Sequence, residues 1–300
     1  MELRQLKYFV KAAELLNFSE AAKALFITQS TLSQQIRQLE QEMNTQLFQR
    51  NSHEVRLTET GESLLTFAQR TLHDADACMD RIHDLQHVMT GTLNIGVTFT
   101  FSPILTETLI DFMKQYPGVK LNIYYKSMGE LMEMLQRHEI DFALAFRPTI
   151  RIKDIESHVL FNNHLAAIVQ SSHPLAKLSK VSLSELQKYE LALPAKGLQA
   201  RNEFDKIQSL YYSDFKVRIE LNEVNILLKL IRQSSLVTVL SEATIHNEQG
   251  VKAVPLDFPG NDMEGCIHLL KNVYRKHSAQ AFIHMLCESN AVRARINDWL

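Results

Sequence analysis

Two short helical patterns meet at a tight break within residues 18–50, and they constrain the fold more than any other stretch of the chain. The first pattern begins at Ser19, a residue type that caps helices well. It places Ala21, Ala22 and Leu25 on one apolar face. Because the alanine side chains are small, a second helix can approach this face closely. The stretch therefore predicts a helix, a tight turn and a second helix.

The second helix has an unusual polar face. Thr28 can cap it after the break at Phe26–Ile27, and Leu32, Ile36 and Leu39 are spaced as one apolar side. The other side carries neutral hydrogen-bonding groups and one cation: Gln29, Ser30, Thr31, Ser33, Gln34 and Arg37. Such groups suit base edges and phosphate oxygens. We therefore predict a helix-turn-helix that reads double-stranded DNA; the alternative is a polar helix that only faces solvent.

The charge of the chain limits how this DNA binding can work. The 300 residues have a formal net charge of −2, and residues 1–57 hold seven Lys and Arg against six Asp and Glu. A DNA-compacting protein would need a strongly basic surface, so this class is excluded. DNA recognition must then depend on where individual groups are placed.

The segments around the two helices complete a small DNA-binding domain. Residues 2–17 predict a first helix, and Asn44 stands where the chain must turn after the second helix of the motif. Residues 53–57 alternate like a short strand, which predicts a wing. Arg50 and Arg56 bracket this wing, and we expect them, with Arg37, to contact phosphates.

A long helix follows, from a cap at Thr58 to about Met89, and Gly91 ends it. Apolar and small residues recur along it at heptad spacing: Leu64, Ala68, Thr71, Ala75, Cys78, Ile82, Leu85 and Met89. A stripe of this length needs a partner, and the same helix of a second subunit is the simplest one. The alternative is packing on the helix's own domain.

Alternating strand and helix patterns fill the rest of the chain and predict a parallel α/β sheet in each of two lobes. We expect the chain to cross between lobes near Pro148–Ile152 and near Pro259–Gly265. The predicted domains are 1–58 for DNA binding, 59–90 for the long helix and 91–300 for the two lobes, a part that the family resemblance below identifies as regulatory. Within the last, lobe I spans about 91–147 and 266–300, and lobe II about 153–260.

The gap between these lobes is the predicted ligand site. Helices that begin after Ser102 and Ser127 would point backbone N–H groups at the gap, and such groups favour anions. Polar and cationic candidates cluster there with one Met, most of them at the carboxyl ends of strands: Thr98, Thr100, Ser102, Lys126, Ser127, Met128, Arg147, Lys196 and Arg201. With Phe99 and Phe101 in the wall, an organic anion with an apolar body is expected to bind and close the lobes. The alternative is that the hydroxyls only cap helices and the cations are solvated.

Several motifs resemble those of LysR-type transcriptional regulators. They include residues 29–36, Leu47-Phe48-Gln49-Arg50, Leu57-Thr58-Glu59-Thr60-Gly61 and His173-Pro174-Leu175-Ala176. The resemblance covers essentially the whole chain and implies an all-α winged helix-turn-helix, a dimerising linker helix and a two-lobed, periplasmic-binding-protein-like α/β regulatory domain. It also implies a small-molecule effector in the cleft and a homodimer that assembles further into a tetramer. RNA polymerase is a further candidate partner.

The sequence departs from the family pattern at three places. Asn44 stands where Gly is usual, which is a mild change because Asn tolerates the left-handed conformation. Ser127 and Met128 replace a frequent Gly and Ser/Thr at the cleft edge, and residues 234–236 replace a Gly-rich turn. The effector class of a relative therefore does not transfer to this chain.

Other function classes receive less support from the sequence. A cytosolic ligand-binding protein or enzyme, with the helix-turn-helix as a protein-interaction module, is the alternative function. No Gly-rich phosphate loop, nucleophile elbow or metal-ligand spacing is evident, so we expect no catalysis, cofactor or metal. Cys78, Cys266 and Cys287 are expected to be reduced core residues, with a redox pair of Cys266 and Cys287 as the less favoured alternative. No apolar run predicts a membrane span, and we expect a cytoplasmic protein.

Overall fold

The computed structural model describes residues 1–50, 54–86, 89–148, 150–212, 214–245, 248–289 and 292. The chain forms two compact units, and each is described here by itself. The first unit comprises residues 1–88 with 137–139, and the second comprises 89–136 and 140–300. None of the helices in the described ranges is long and apolar enough to span a membrane.

The first unit is a three-helix core with a short hairpin and a long helix. Its elements are α1 Leu3–Leu15, α2 Phe18–Ala24, α3 Gln29–Glu42, β1 Phe48–Arg50, β2 Val55–Leu57 and α4 Glu59–Leu85. Leu32, Ile36 and Leu39 of α3 are fully buried, as their spacing predicts, and they pack with Phe9 of α1 and Phe48 of β1. Burial of this stripe orients α3, because its polar side must then face outward.

The caps of α2 and α3 differ in how well the sequence predicts them. Thr28 caps α3, and its hydroxyl oxygen accepts from the backbone N–H of Thr31 at 3.2 Å. Ser19 does not cap α2. Asn17 does so instead, and its Oδ1 accepts from the N–H groups of Ser19 and Glu20 at 3.0 and 3.1 Å. The helix starts earlier than predicted because an Asn side chain satisfies two orphan donors at once.

Both helices of the motif end in a left-handed residue. Asn44 has a φ of 50°, which confirms the prediction for that position, and Phe26 has a φ of 56°. At each end two bonds satisfy the last carbonyls, for example Ile27 N–H to Ala22 O and Phe26 N–H to Lys23 O. Asn tolerates this conformation, whereas a Phe there carries backbone strain.

The hairpin of β1 and β2 is the predicted wing, although its strands are shorter than the pattern indicates. Phe48 pairs with Leu57 and Arg50 with Val55; residues 51–53, including His53, lie outside the described residues. One Glu40 carboxylate oxygen accepts from the N–H groups of Leu47 and Phe48 at 2.9 and 3.2 Å. The position of the wing is thus tied to the last turns of α3.

The two halves of α4 have different environments. Thr58 caps the helix through a 3.0 Å bond from the N–H of Gly61, as predicted, but α4 ends at Leu85 and not near Met89. Leu64 and Leu72 pack on the core of the first unit, and Ala68 is buried within it, so packing on its own domain accounts for this half. In the other half Met79, Ile82 and Leu85 are exposed.

The second unit contains two lobes, each built on strands flanked by helices. Its elements are β3 Gly91–Val97, α5 Ser102–Gln115, β4 Val119–Tyr125, α6 Met128–Gln136, β5 Phe142–Phe146, β6 Ile155–Asn163, β7 Leu165–Gln170, β8 Val181–Ser182, α7 Leu183–Leu186, β9 Glu190–Pro194, α8 Gln199–Leu210, β10 Lys216–Leu221, α9 Val224–Arg232, β11 Thr238–Ser241, β12 Val251–Asp257, β13 Met263–Leu270 and α10 His277–Glu288.

The sheet order shows where the lobes divide. Lobe I holds a five-stranded sheet in the order β4-β3-β5-β13-β6, in which β3 runs parallel to β4 and β5. Lobe II holds the four-stranded sheet β11-β7-β12-β8 and the parallel pair β10-β9. The predicted parallel arrangement is present in lobe I at β4-β3-β5, and in lobe II only at the pairs β10-β9 and β12-β8. The prediction of a parallel sheet in each lobe is otherwise wrong, because β7 and β13 pair antiparallel with their neighbours.

One of the two predicted crossings is wrong. β6 pairs antiparallel with β13 in lobe I, so the chain leaves this lobe at His164 and not at Pro148–Ile152. Lobe I therefore includes residues 155–163, which the sequence assigned to lobe II. The return crossing lies at residues 258–262, between β12 and β13, close to the predicted Pro259–Gly265. The local pattern of β6 contains no information about its distant partner.

The start of α5 also differs from the prediction. A 3₁₀ turn at Phe99–Phe101 leads directly into α5, so Ser102 is its first helical residue and not its N-cap. The hydroxyl of Ser102 donates to the hydroxyl oxygen of Tyr125 at 3.2 Å. The capping box at Ser127 and Glu130 is present as predicted.

We predict that Gly61→Ala destabilises the first unit by about 1–3 kcal/mol, because a Cβ there would lie 2.2 Å from the backbone oxygen of Leu47. The matched control is Gly129→Ala in α6, where a Cβ meets nothing within 4 Å. This control should be neutral or stabilise by about 0.4–1 kcal/mol. Urea unfolding of both variants followed by circular dichroism tests the pair, and equal midpoints would contradict the prediction.

Candidate functional site

The predicted DNA-reading side chains form one exposed face of α3. Gln29, Ser30, Thr31, Gln34 and Arg37 are exposed and Ser33 is half-buried. Because Leu32, Ile36 and Leu39 anchor the opposite side in the core, this face projects as a continuous surface. It offers donors and acceptors of the kind that pair with base edges.

Hydrogen bonds within α3 order part of this face in advance. The Gln29 side-chain amide donates to Ser33 Oγ at 3.2 Å. The hydroxyls of Ser30 and Thr31 lie 2.9 and 2.8 Å from that of Thr28. Fixed side chains lose less entropy on binding, so these bonds preorganise the first turn of the helix.

The wing supplies cations beside α3. Arg56 on β2 is exposed and lies 2.8 Å from the carboxylate of Glu54. The hydrogen bond that the Arg56 guanidinium donates to Glu54 raises the pKa of Arg56. Arg50 lies on β1, and its side chain is outside the described part of the structure.

A small cavity of about 50 Å³ lies between the two lobes. Lobe I contributes the residues that follow its parallel strands, and lobe II contributes the first turn of α8 with parts of α9, β11 and the 3₁₀ turn Glu242–Ile245. The full lining comprises Thr98, Phe99, Thr100, Lys126, Ser127, Met128, Phe146, Pro194, Leu198, Gln199, Ala200, Val224, Leu240 and Thr244. The lining is thus mostly apolar with hydroxyl groups at intervals.

The structure brings five of the nine predicted ligand residues to this cavity: Thr98, Thr100, Lys126, Ser127 and Met128. Ser102, Arg147, Lys196 and Arg201 are not among the described residues that line it. Phe99 lines the cavity as expected, but Phe101 is fully buried in the core of lobe I.

Arg201 is held inside lobe II by its own partners. Its side chain is only 6% exposed, and its Nε donates to Asp205 at 2.6 Å. Its Nη1 lies 2.8 Å from the carboxylate of Glu220 and donates to the backbone oxygen of Pro194 at 3.1 Å. These contacts outweigh the cost of burial and raise the pKa of Arg201, so its charge is permanent but already compensated.

Arg147 is paired in a similar way. Its Nε lies 2.7 Å from the carboxylate of Glu264, and both residues line a second, larger cavity of about 590 Å³. Glu203 and Asp262 also line that space, so its charged lining is more acidic than basic. Arg147 therefore contributes no positive charge to the smaller cavity.

The helix ends around the smaller cavity offer anions different environments. The Glu130 carboxylate accepts from both the N–H and the hydroxyl of Ser127, at 3.0 and 2.7 Å. These bonds lower the pKa of Glu130, so the start of α6 already holds an anion. At α8, by contrast, Leu198 occupies the N-cap position and gives no side-chain cap within the described residues. Gln199 and Ala200 of that first turn line the cavity.

Thr244, Val224 and Leu240 also line the cavity, and the sequence did not indicate them. Thr244 is buried, and its hydroxyl donates to that of Thr100 at 3.4 Å across the gap. The two threonines are 144 residues apart in the chain. No local pattern relates them, because only the packing of the lobes brings them together.

The cysteines only partly follow the prediction of core packing. Cys266 is buried, whereas Cys78 and Cys287 are exposed, and all three are free thiols. Burial raises the pKa of Cys266, which disfavours the reactive thiolate. Cys266 lies on a strand and Cys287 on a helix, and they form no disulfide.

Two family models match almost the entire chain. Residues 3–62 match the bacterial regulatory helix-turn-helix protein model of the lysR family. Residues 86–291 match the LysR substrate binding domain. The boundary between them falls within or just after α4.

Curated relatives are transcriptional regulators. The chain is 30% identical to the transcriptional dual regulator GltC of Bacillus subtilis, over 86% of this chain and 87% of that protein. It is 36% identical to the regulator BudR of Raoultella terrigena, over 62% of this chain and 65% of BudR.

Solved structures share the fold at lower identity. A full-length OxyR variant from Pseudomonas aeruginosa has a TM-score of 0.72 and 22% identity, and the match covers 98% of this chain and 95% of that one. Full-length CbnR in complex with its target DNA has a TM-score of 0.65 and 21% identity, and the match covers 98% of this chain and 100% of that one.

We predict that Arg201→Met destabilises the second unit by about 1–3 kcal/mol, because it leaves two carboxylates and a carbonyl without their common donor. The control is Arg218→Met, which removes an exposed pair with Glu190 at 2.9 Å and should cost less than about 1 kcal/mol. Urea titration of the two variants decides between a structural and a solvated Arg201; equal losses would contradict the assignment.

Proposed function

The chain belongs to the LysR family of transcriptional regulators, and we propose that it reads its operator with the exposed face of α3 and responds to a small effector held between the lobes of its second unit. The observation that carries the DNA assignment is the continuous polar face of α3, anchored by a fully buried apolar side. RNA polymerase is the partner that a regulator at a promoter would address.

Different groups have different tasks in DNA recognition. Gln29, Ser33 and Gln34 present donors and acceptors that can distinguish bases in the major groove. Arg37 and Arg56 lie on the flanks of this surface and would hold phosphates, which set the register of the protein on DNA but carry little sequence information.

A dimer would place two reading helices on one operator. The exposed stripe of Met79, Ile82 and Leu85 on α4 supports pairing with a second copy, because isolated apolar stripes of this kind favour burial. Two half-sites about one helical turn apart would then be read together. Pairs of such dimers would give the tetramer that the family resemblance implies.

The cavity favours an effector with an apolar body and at most one anionic group. Phe99, Met128, Leu198, Val224 and Leu240 provide apolar walls. Lys126 supplies a cation, but it lies 3.4 Å from Glu130, which reduces its pull on a second anion. The first turn of α8 is a further place for a carboxylate, because a helix N-terminus presents backbone N–H donors.

For DNA, we predict that Gln29→Ala or Ser33→Ala relaxes base preference at one operator position, at a cost of about 1–3 kcal/mol. Arg56→Ala should weaken all sequences alike and reduce the dependence of affinity on salt. Selection of binding sequences from a random pool, followed by salt titration of the best site, measures both effects. If Gln29→Ala and Ser33→Ala both kept the wild-type sequence preference, another face of the protein would read the bases.

For the dimer, we predict that Met79→Asp with Ile82→Asp yields monomers, since paired helices would bury the new charges. Leu72 is not used in this test, because it packs on the core of the first unit and its substitution would also destabilise that unit. Ser63→Asp adds the same charge at an exposed position of α4 and should leave the dimer intact. Sedimentation of the full chain gives the result, and a double variant that stays dimeric would place the contact elsewhere.

For the effector, we predict that a thermal-shift screen of monocarboxylates against the full chain finds compounds that stabilise the wild type but not Thr100→Val. The substitution keeps the shape of the side chain and removes the hydroxyl from the cavity. Thr106→Val removes an exposed hydroxyl of α5 as the control and should respond like the wild type. Hits that stabilise all three proteins equally would argue against binding in this cavity.

A further inference from the structure

Phe99 of lobe I is partly buried and packs against an apolar cluster of lobe II. It stands in the 3₁₀ turn between β3 and α5, next but one to Phe101, which is fully buried in lobe I. The ring of Phe99 packs instead against the lobe II cluster that includes Val224, Leu227 and Leu240. One turn thus places one aromatic ring in each lobe.

A polar contact lies next to this ring. Thr100 accepts the hydrogen bond from Thr244, which is itself buried in the 3₁₀ turn Glu242–Ile245 of lobe II. Phe99, Thr100 and Thr244 all line the cavity between the lobes. The lobes therefore touch at the cavity through the chain's own side chains, with an apolar and a polar contact side by side.

The two chain segments that cross between the lobes are also held together. The Asn261 side chain donates to the backbone oxygens of Leu165 and Leu256, each at 2.9 Å. Its Oδ1 accepts from the N–H of Leu165 at 2.8 Å. These bonds tie the two crossings together, so the lobes meet both at the crossings and at the Phe99 turn.

We propose that Phe99 is a built-in latch: its ring holds the lobes together without a ligand, and the effector acts by taking the place of the ring against lobe II. This inference rests on the proposed effector cavity and names how it is regulated. It replaces the expectation that a ligand closes an open cleft. The chemical class that can compete for this place is a molecule with one flat apolar ring and a small polar or anionic end, which would meet Lys126 or the first turn of α8.

To shift the lobes, the effector must replace the contacts that the Phe99 ring makes with lobe II. A ligand shifts a conformational balance only by its different affinities for the two states. Removal of the Phe99 ring from lobe II loses apolar contacts, and a ligand ring in the same place restores them. The freed turn of residues 99–101 is then the element whose position differs between the two states.

The test uses the full chain with Phe99→Ala and with Phe101→Ala, which removes the same side chain from within lobe I. Hydrogen exchange is followed at Glu242–Ile245 and at the first turn of α8, both in lobe II. We expect Phe99→Ala to raise exchange there by about tenfold although the substitution is in lobe I. Phe101→Ala should act mainly on β3 and α5.

Toluene, which carries the phenyl ring that Phe99→Ala removes, is the probe for the space that this ring leaves against lobe II. It should return lobe II exchange in Phe99→Ala toward the wild-type rate, and it should leave the wild type unchanged. Phe99→Leu keeps part of the apolar contact and should give an intermediate rise, which provides a second variant if Phe99→Ala does not fold.

Two outcomes would overturn the latch: unchanged lobe II exchange in Phe99→Ala and Phe99→Leu, or a toluene response no greater than that of the wild type. Operator binding of the same proteins is measured by gel shift. A wild type that binds no operator sequence would instead refute the proposed function, whereas intact DNA binding with unchanged exchange refutes the latch alone.

Discussion

The second unit depends on one strand pairing, the insertion of β13 between β5 and β6. Because β13 returns to the first sheet after the chain has built lobe II, the two lobes are joined by two chain segments and not by one. Two segments that cross side by side restrict how the lobes can rotate. The Asn261 bonds tighten this restriction at the crossings, and the contacts of Phe99 and Thr100 with lobe II add a second point at the cavity.

Charge pairing inside the lobes decides what the cavity can bind. Arg201 and Arg147 were natural candidates for an anion site, yet their partners are the carboxylates of Asp205, Glu220 and Glu264. Neither guanidinium lines the smaller cavity, and each is held by a carboxylate within its own lobe, at 2.7 Å for Arg147 and 2.6 Å for Arg201. The start of α6 is neutralised in the same way by Glu130. The remaining lining is mainly apolar, so the fit of a ligand's shape matters more for binding than its charge.

In the DNA-binding unit, both helices of the motif end in a left-handed residue, and only one of the two is of a type that favours this conformation. The turns after α2 and α3 have the same hydrogen bonds and the same left-handed residue, but one uses Asn44 and the other Phe26. The side chain of Phe26 is 96% exposed, so burial does not compensate for its strained backbone. The buried stripe of α3 and the Glu40 bonds to the wing hold the unit together around these turns.

The sequence by itself determined the local elements of this protein. The α3 stripe, the Thr28 and Thr58 caps and the turn at Asn44 follow from residue types and spacings, because these features depend on neighbours a few residues away. The family resemblance rested on the same short stretches. The five predicted ligand residues that line the cavity stand at or shortly after strand ends, which the alternating strand and helix pattern locates.

Only the tertiary structure decided the features that depend on distant partners. The pairing of β6 with β13 moved the first crossing to His164, and the partners of Arg147 and Arg201 removed both cations from the cavity. Thr244 lines the cavity beside Thr100, although the two residues are 144 positions apart in the sequence. The periodicity of a sequence indicates which face of a helix or strand is buried, but not which residues pack against that face. The electrostatic attraction of a side chain for a ligand likewise depends on the charged partners that the side chain has in the folded protein.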